Sequence, residues 1–176
     1  MTDYNLAELR ILIVDDNEHM RKMIREILRS LNVRNVREVA DGSEALTKLS
    51  SFAADVVICD WDMQPMNGLI FVEKLRLDED SANPFVPVIM LTGHTELERV
   101  KEARDSGINE FLAKPVSVRG LYQRLCMVIE NPRQFVRTDS YTGPDRRRMK
   151  STPATNKGRR SGDKQGAEPP AETSKD

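Results

Sequence analysis

Five residues carry the reactive chemistry of this sequence: Asp15, Asp16, Asp60, Thr92 and Lys114. Each follows a short apolar run: I-L-I-V before Asp15-Asp16, V-V-I-C before Asp60, V-I-M-L before Thr92, and F-L-A before Lys114-Pro115. Brought to one place, three carboxylates repel one another, so a cation should share the site. Hard oxygen ligands with room for water suit Mg²⁺ or Mn²⁺. Acids for a divalent ion, one hydroxyl and one ammonium together suit a phosphoryl group. A carboxylate can itself be the nucleophile, giving an aspartyl-phosphate. Asp60 ends the most central run and is the expected acceptor. Any one of these residues alone would read as a strand-end cap. Four strand ends each bearing the right chemical type are hard to explain that way.

The elements that must position them alternate along the chain. Short β-branched runs at Arg10–Val14, Val33–Val39, Asp55–Cys59, Val88–Leu91 and Glu110–Ala113 read as strands. The run before Asp60 is apolar throughout, as in a strand buried on both faces of a parallel sheet. Between the runs lie helical patterns. Met20, Ile24, Ile27 and Leu31 recur at three- and four-residue spacing, with Arg21, Lys22, Arg25 and Arg29 mostly on the solvated side. Asp41 to Glu44 and Thr95 to Glu98 have the spacing of capping boxes, and Ser117 is placed to cap a last helix reaching about Glu130. A helix from Asn67 to Arg76 and one from Thr95 to about Asp105, with Gly107 as its cap, complete the set. Five strands alternating with five helices imply a right-handed parallel sheet covered on both faces. The compact solution is an α/β flavodoxin-like (βα)5 doubly wound sheet of order 2-1-3-4-5. Its ligand crevice lies between strands 1 and 3, which end in Asp15-Asp16 and Asp60.

Charge and composition divide the 176-residue chain. The net charge of −1 hides an acidic excess in residues 1–130 and a basic excess beyond them. Two cysteines, Cys59 and Cys126, lack metal-ligand spacing and read as reduced thiols. The first ten residues lack a signal-peptide core, and no apolar run approaches the ~20 residues of a membrane span. The expected location is cytoplasmic.

Residues 9–130 resemble a CheY-like response-regulator receiver domain. The resemblance rests on I-L-I-V-D-D, on V-V-I-C-D-W-D-M with Gly68, on V-I-M-L-T-G and on F-L-A-K-P. It implies that Asp60 is the phospho-acceptor for a histidine kinase. Asp15 and Asp16 would be the acidic pair that holds Mg²⁺ with Asp60, and the backbone carbonyl of Asp62 the third protein ligand. Thr92 matches the switch hydroxyl, Lys114 the phosphate-contacting lysine, and Lys114-Pro115 a cis peptide bond. Phe111 matches an aromatic switch that turns inward on activation, although an ordinary core phenylalanine would look the same. Gly93 matches the small position that leaves phosphodonors access. Asp62 and His94 occupy the positions that tune phosphoryl lifetime. The downstream target would read the surface of residues 95–130. One departure stands out: the family usually has proline four residues after the acceptor, where this chain has Gln64 followed by Pro65. The loop after strand 3 is therefore expected to take its own backbone path.

Residues 131–176 form a basic extension poor in large apolar side chains, expected to be largely disordered. Phe135 to Thr138 and Tyr141 to Arg148 are its less random stretches, suited to docking or to nucleic-acid backbone contact. Three functional classes follow. One is a stand-alone receiver acting through protein contacts, as output or as phosphorelay carrier in a two-component or chemotaxis-type system. Another is a nucleic-acid-binding regulator working through the tail, for which salt-steep binding would speak. The third is an enzyme: Asp60-Trp61-Asp62 mimics the D-x-D of haloacid-dehalogenase-like phosphatases. That motif belongs on the first strand with Thr or Val where this chain has Gln64, so a non-enzymatic receiver is the expectation.

Overall fold

The computed structural model describes residues 5–93, 107–130, 135–138 and 141–144. The strands β1 (Arg10–Val14), β2 (Asn35–Val39), β3 (Val56–Asp60), β4 (Val88–Thr92) and β5 (Glu110–Ala113) form one sheet of order β2-β1-β3-β4-β5. Every pairing in it is parallel. The expected strand order and flavodoxin-like architecture are the ones observed. Four helices accompany it among the described residues: α1 (Glu18–Ser30), α2 (Gly42–Ser51), α3 (Gly68–Leu77) and α4 (Val118–Glu130). The helix expected at Thr95 to Asp105 lies outside the described residues, although Gly107 after it has the left-handed φ of 85° that suits a helix cap.

Caps fix where the helices start. The Asn17 side chain accepts from the N–H groups of His19 and Met20, and Asp41 accepts from Ser43 and Glu44. Glu44 reaches back to the Ala40 N–H at 3.0 Å, one residue beyond the usual partner in such a box. Ser117 caps α4 by accepting from the Gly120 N–H. At the far end of α1 the N–H of Val33 bonds the Leu28 carbonyl, and the N–H of Asn32 bonds that of Arg29. Asn32 adopts φ 65°, so this is a Schellman turn with asparagine in the place glycine usually takes. That turn occupies the residues before Asn35, so β2 starts two residues later than its apolar pattern suggested.

The pleat of the strands sorts the core into two layers. Leu12, Val14, Val57, Cys59, Val88 and Met90 face α2 and α3, meeting Ala45, Leu49, Phe71 and Leu75. Ile11, Ile13, Val56, Ile58, Ile89 and Leu91 face the other way, meeting Ile24 and Leu28 of α1 and Leu121, Leu125 and Val128 of α4. Alternate residues of each strand thus bury against opposite helical layers, at ~1.5–3 kcal/mol for each large aliphatic side chain.

Within the extension, the two stretches read as less random contribute β6 (Phe135–Thr138) and β7 (Tyr141–Pro144), which form an antiparallel pair. Residues through Arg146 belong to one compact unit with the sheet. Residues from 145 onward lie outside the described set.

Candidate functional site

The carboxyl ends of β1, β3, β4 and β5 meet at one rim, where β1 delivers Asp15 and Asp16 and each of the others delivers one expected group. Val14 pairs with Cys59 across β1 and β3, so Asp15 and Asp60 come next on adjacent strands. Asp60 in turn pairs with Leu91, and Thr92 with Ala113, which places Thr92 and Lys114 beside them. One carboxylate oxygen each from Asp15, Asp16 and Asp60 falls within 4.8 Å of the others. Lys114 Nζ lies 2.7 Å from Asp60 Oδ1.

Burial sets the electrostatics. Asp15, Asp60 and Thr92 are buried, whereas Asp16 is exposed. Burial pushes the Asp15 carboxyl up to about 6, with the N–H of Asn17 lowering it and the charges of Asp60 and Asp16 raising it further. Burial also raises the Asp60 carboxyl, against the opposing pull of Lys114 and of the N–H groups of Asp62 and Trp61. Two buried polar atoms have no hydrogen-bond partner among the described residues: Asp15 Oδ2 and Thr92 Oγ1. Such atoms are rare in folded interiors, and an ion, a water or a ligand is what commonly meets them. The orphaned carboxylate oxygen within an all-oxygen acidic cluster fits a hard divalent cation such as Mg²⁺. The orphaned hydroxyl fits an anion arriving next to it.

The loops bearing the acids are held from several sides. Asp15 Oδ1 accepts from the Asn17 N–H at 2.8 Å, and its carbonyl accepts from Arg21 Nη1 at 2.7 Å. Arg21 in turn faces Glu38 at the end of β2, which also pairs with Arg25 at 2.8 Å. Sequence patterning assigned Arg21 to a solvated helix face. Its position one turn after the cap that follows the acidic pair is the signal that places it within reach of that carbonyl. Gln64 donates its N–H to Asp16 Oδ2 at 3.1 Å. Proline, usual at this position in the resemblance, has no N–H to give. The departure thus adds a link between the β1–α1 and β3–α3 loops. Both Gln64–Pro65 and Lys114–Pro115 are cis.

Gly68 closes the acceptor loop. Its N–H bonds the Trp61 carbonyl at 2.9 Å, and a Cβ at this position would run into the Asp60 carbonyl oxygen. Phe111 is half-buried, its ring centroid 6.5 Å from that of Trp61 and tilted by 37°. The Asp62 side chain is exposed next to the acceptor. His94 lies outside the described residues. Cys59 is fully buried, and burial together with Asp60 and Asp15 pushes its thiol well up, so it stays protonated.

Residues 11–126 match the response regulator receiver domain family. The chemotaxis protein CheY-3 of Vibrio cholerae is 34% identical over 122 residues, 69% of this chain and 92% of that protein. The chemotaxis protein CheY of Pseudomonas aeruginosa is also 34% identical, over 69% of this chain and 97% of its own length. Among solved structures, Vibrio cholerae CheY4 superposes with a TM-score of 0.62 at 34% identity, covering 68% of this chain and 98% of its own. The receiver domain of the Pseudomonas aeruginosa sensor histidine kinase PA1611 gives 0.61 at 31% identity, covering 69% and 98%, and carries a magnesium ion in its active-site cleft.

Proposed function

We propose that this chain, which belongs to the response regulator receiver domain family, takes a phosphoryl group from a phosphohistidine of a histidine kinase onto Asp60. One observation carries the reading: the buried Asp60 is paired with Lys114 at 2.7 Å, inside the cluster it shares with Asp15 and Asp16. An Asp60 carboxylate oxygen attacks phosphorus. The new O–P bond forms as the donor's P–N bond breaks, and the electron pair leaves with the imidazole nitrogen. Asp15, Asp16 and Asp60, with the backbone carbonyl of Asp62, would hold Mg²⁺ or Mn²⁺. Such an ion, when bound, offsets the negative charge of the phosphoryl oxygens.

Lys114 starts as the partner of the Asp60 carboxylate. Once that oxygen is esterified, the ammonium turns to the phosphoryl oxygens. The Thr92 hydroxyl, buried without a partner among the described residues, donates to another of them. Its movement makes room for the half-buried Phe111 to turn inward. The surface of residues 95–130 then changes, and a partner that prefers the new surface shifts the equilibrium toward it. Asp62, exposed beside the acceptor, and His94 are the positions that set how long the phosphoryl group survives. The test uses the full chain and Asp60→Asn, each with Mg²⁺ and acetyl phosphate, followed by intact mass. One added phosphoryl group in wild type alone, lost on removing Mg²⁺, is the expected result. Equal uptake by the variant would remove Asp60 from the role.

A further inference from the structure

The extension meets the sheet far from the acid pocket, at the end where the parallel strands begin. Arg76, in the last turn of α3, is 3% exposed. Its Nε donates to the Gly107 carbonyl at 3.1 Å, its Nη1 to the Pro84 carbonyl at 2.6 Å and its Nη2 to Asn109 Oδ1 at 3.3 Å. A buried guanidinium is tolerable only when its donors are met and water is kept from competing for their partners. The ring of Phe135 lies over it, 5.0 Å from Cζ to the ring centroid. The same ring meets Phe85 edge-on, with centroids 5.4 Å apart and planes at 82°. In the hairpin register Phe135 pairs with Pro144, and Gly143 and Pro144 are both buried. The strand β7 packs against α3.

Arg76 also links this corner to β5. Asn109 exchanges two bonds with Val88, its N–H to the Val88 carbonyl at 3.1 Å and its Oδ1 accepting the Val88 N–H at 3.0 Å. Gly107 and Asn109 therefore form the lead-in to β5, the strand that carries Phe111 and runs directly into Lys114. The guanidinium that holds this lead-in is the one that Phe135 covers.

We propose that the strands β6 and β7 form a clasp. Phe135 closes over the buried Arg76, and the closed clasp braces the start of β5. The folded receiver unit of this chain therefore extends through the hairpin instead of ending at Glu130. The surface around Arg76 and Phe85 is a docking site whose occupant is the chain's own extension. The ring contributes a cation–π contact and shields the guanidinium, which strengthens its bonds to the two carbonyls and to Asn109. Without the ring, water reaches these bonds and the β5 lead-in opens more often.

The experiment compares the full chain with Phe135→Ala, Phe135→Leu and, as a control, Val136→Ala, whose side chain is exposed. Hydrogen exchange is followed at the Asn109 amide and at the central β3 and β4 amides. Limited trypsin digestion scores cleavage after Arg137, within β6, against cleavage after Arg146, Arg147 and Arg148. The clasp predicts that Asn109 exchanges roughly three- to tenfold faster in Phe135→Ala, the span expected from losing one aromatic–cation contact. Phe135→Leu should fall between, Val136→Ala should match wild type, and the β3 and β4 amides should not move. Wild type should be cut after Arg146 to Arg148 well before Arg137, and Phe135→Ala should lose that order. Equal Asn109 exchange in wild type and Phe135→Leu, or cleavage of wild type after Arg137 as fast as after Arg148, overturns the clasp. Should Phe135→Ala accelerate every amide together, Phe135→Leu decides by the same criterion.

Discussion

Thr92 keeps a hydroxyl in the interior with no partner among the described residues. An unmet buried hydroxyl costs stability, so Thr92→Val, which keeps the shape and removes the oxygen, should stabilise the resting chain by ~1 kcal/mol. Thermal unfolding should show it as a rise of about 3–6 °C, and a fall would mean that the hydroxyl already has a partner. Asp15 offers a second test, with a sign fixed by its raised carboxyl at about 6. In the ion-free chain the folded state holds a proton on Asp15 that the unfolded state has already released. This contribution to stability is therefore present at low pH and lost as pH rises through about 6. A divalent cation needs the deprotonated form, so its binding should strengthen over the same interval. Following Trp61 fluorescence in Mg²⁺ titrations from pH 5 to pH 7.5 checks this, and Asp15→Asn, which removes a ligand, should weaken the response throughout that window while the raised Asp60 carboxyl leaves part of its pH dependence. Gln64 shows how much one residue can hide. Its sequence suggested an altered loop, but the useful part of the change is a backbone N–H, which no side-chain reading would have counted.

At the level of elements, Gly68 is the position where the acceptor loop has no room. A methyl group there must push against the Asp60 carbonyl, which is backbone and cannot swing aside. Gly68→Ala should cost about 1–3 kcal/mol as an overpacked site does, and should reduce phosphoryl uptake more than Ile24→Ala. That second variant opens a cavity beneath α1 worth ~2–5 kcal/mol and leaves the rim in place. Parallel denaturation and uptake measurements separate the two. The sheet and its order were legible because each strand is a short apolar run and each connection has caps or a helical stripe. The pocket was legible because chemically matched residues end four strands in turn. The contact between Arg76 and Phe135 was not, although Phe135 to Thr138 stood out as suited to docking. An arginine at the end of an amphipathic helix reads as solvated, and its burial depends on a hairpin contributed from nearly 60 residues later. The strands of that hairpin are only four residues each, and they sit in a segment whose overall composition signals disorder.

The whole molecule keeps its chemistry and its clasp at opposite ends of one parallel sheet, with a helical layer on each face between them. The residues matched to the family stop at 126, so the hairpin lies outside the matched part while belonging to the same compact unit as the sheet. Among the described residues no helix is long and apolar enough to cross a membrane. Three acids held together by the fold of the parallel sheet should make its stability responsive to a divalent ion. A ligand that binds only the folded state adds ~2.7 kcal/mol at a hundred times its dissociation constant. Mg²⁺ at that excess should raise the unfolding temperature, and chelation should reverse the gain. The proposed role of this chain rests above all on where the phosphoryl group goes. The most direct test is to treat the chain with Mg²⁺ and acetyl phosphate, reduce it with borohydride, which converts an aspartyl-phosphate to homoserine, and locate the product by peptide mass. Homoserine at position 60 alone is the predicted result. Homoserine at Asp15, Asp16 or Asp62 instead, or an adduct that resists reduction, would contradict it.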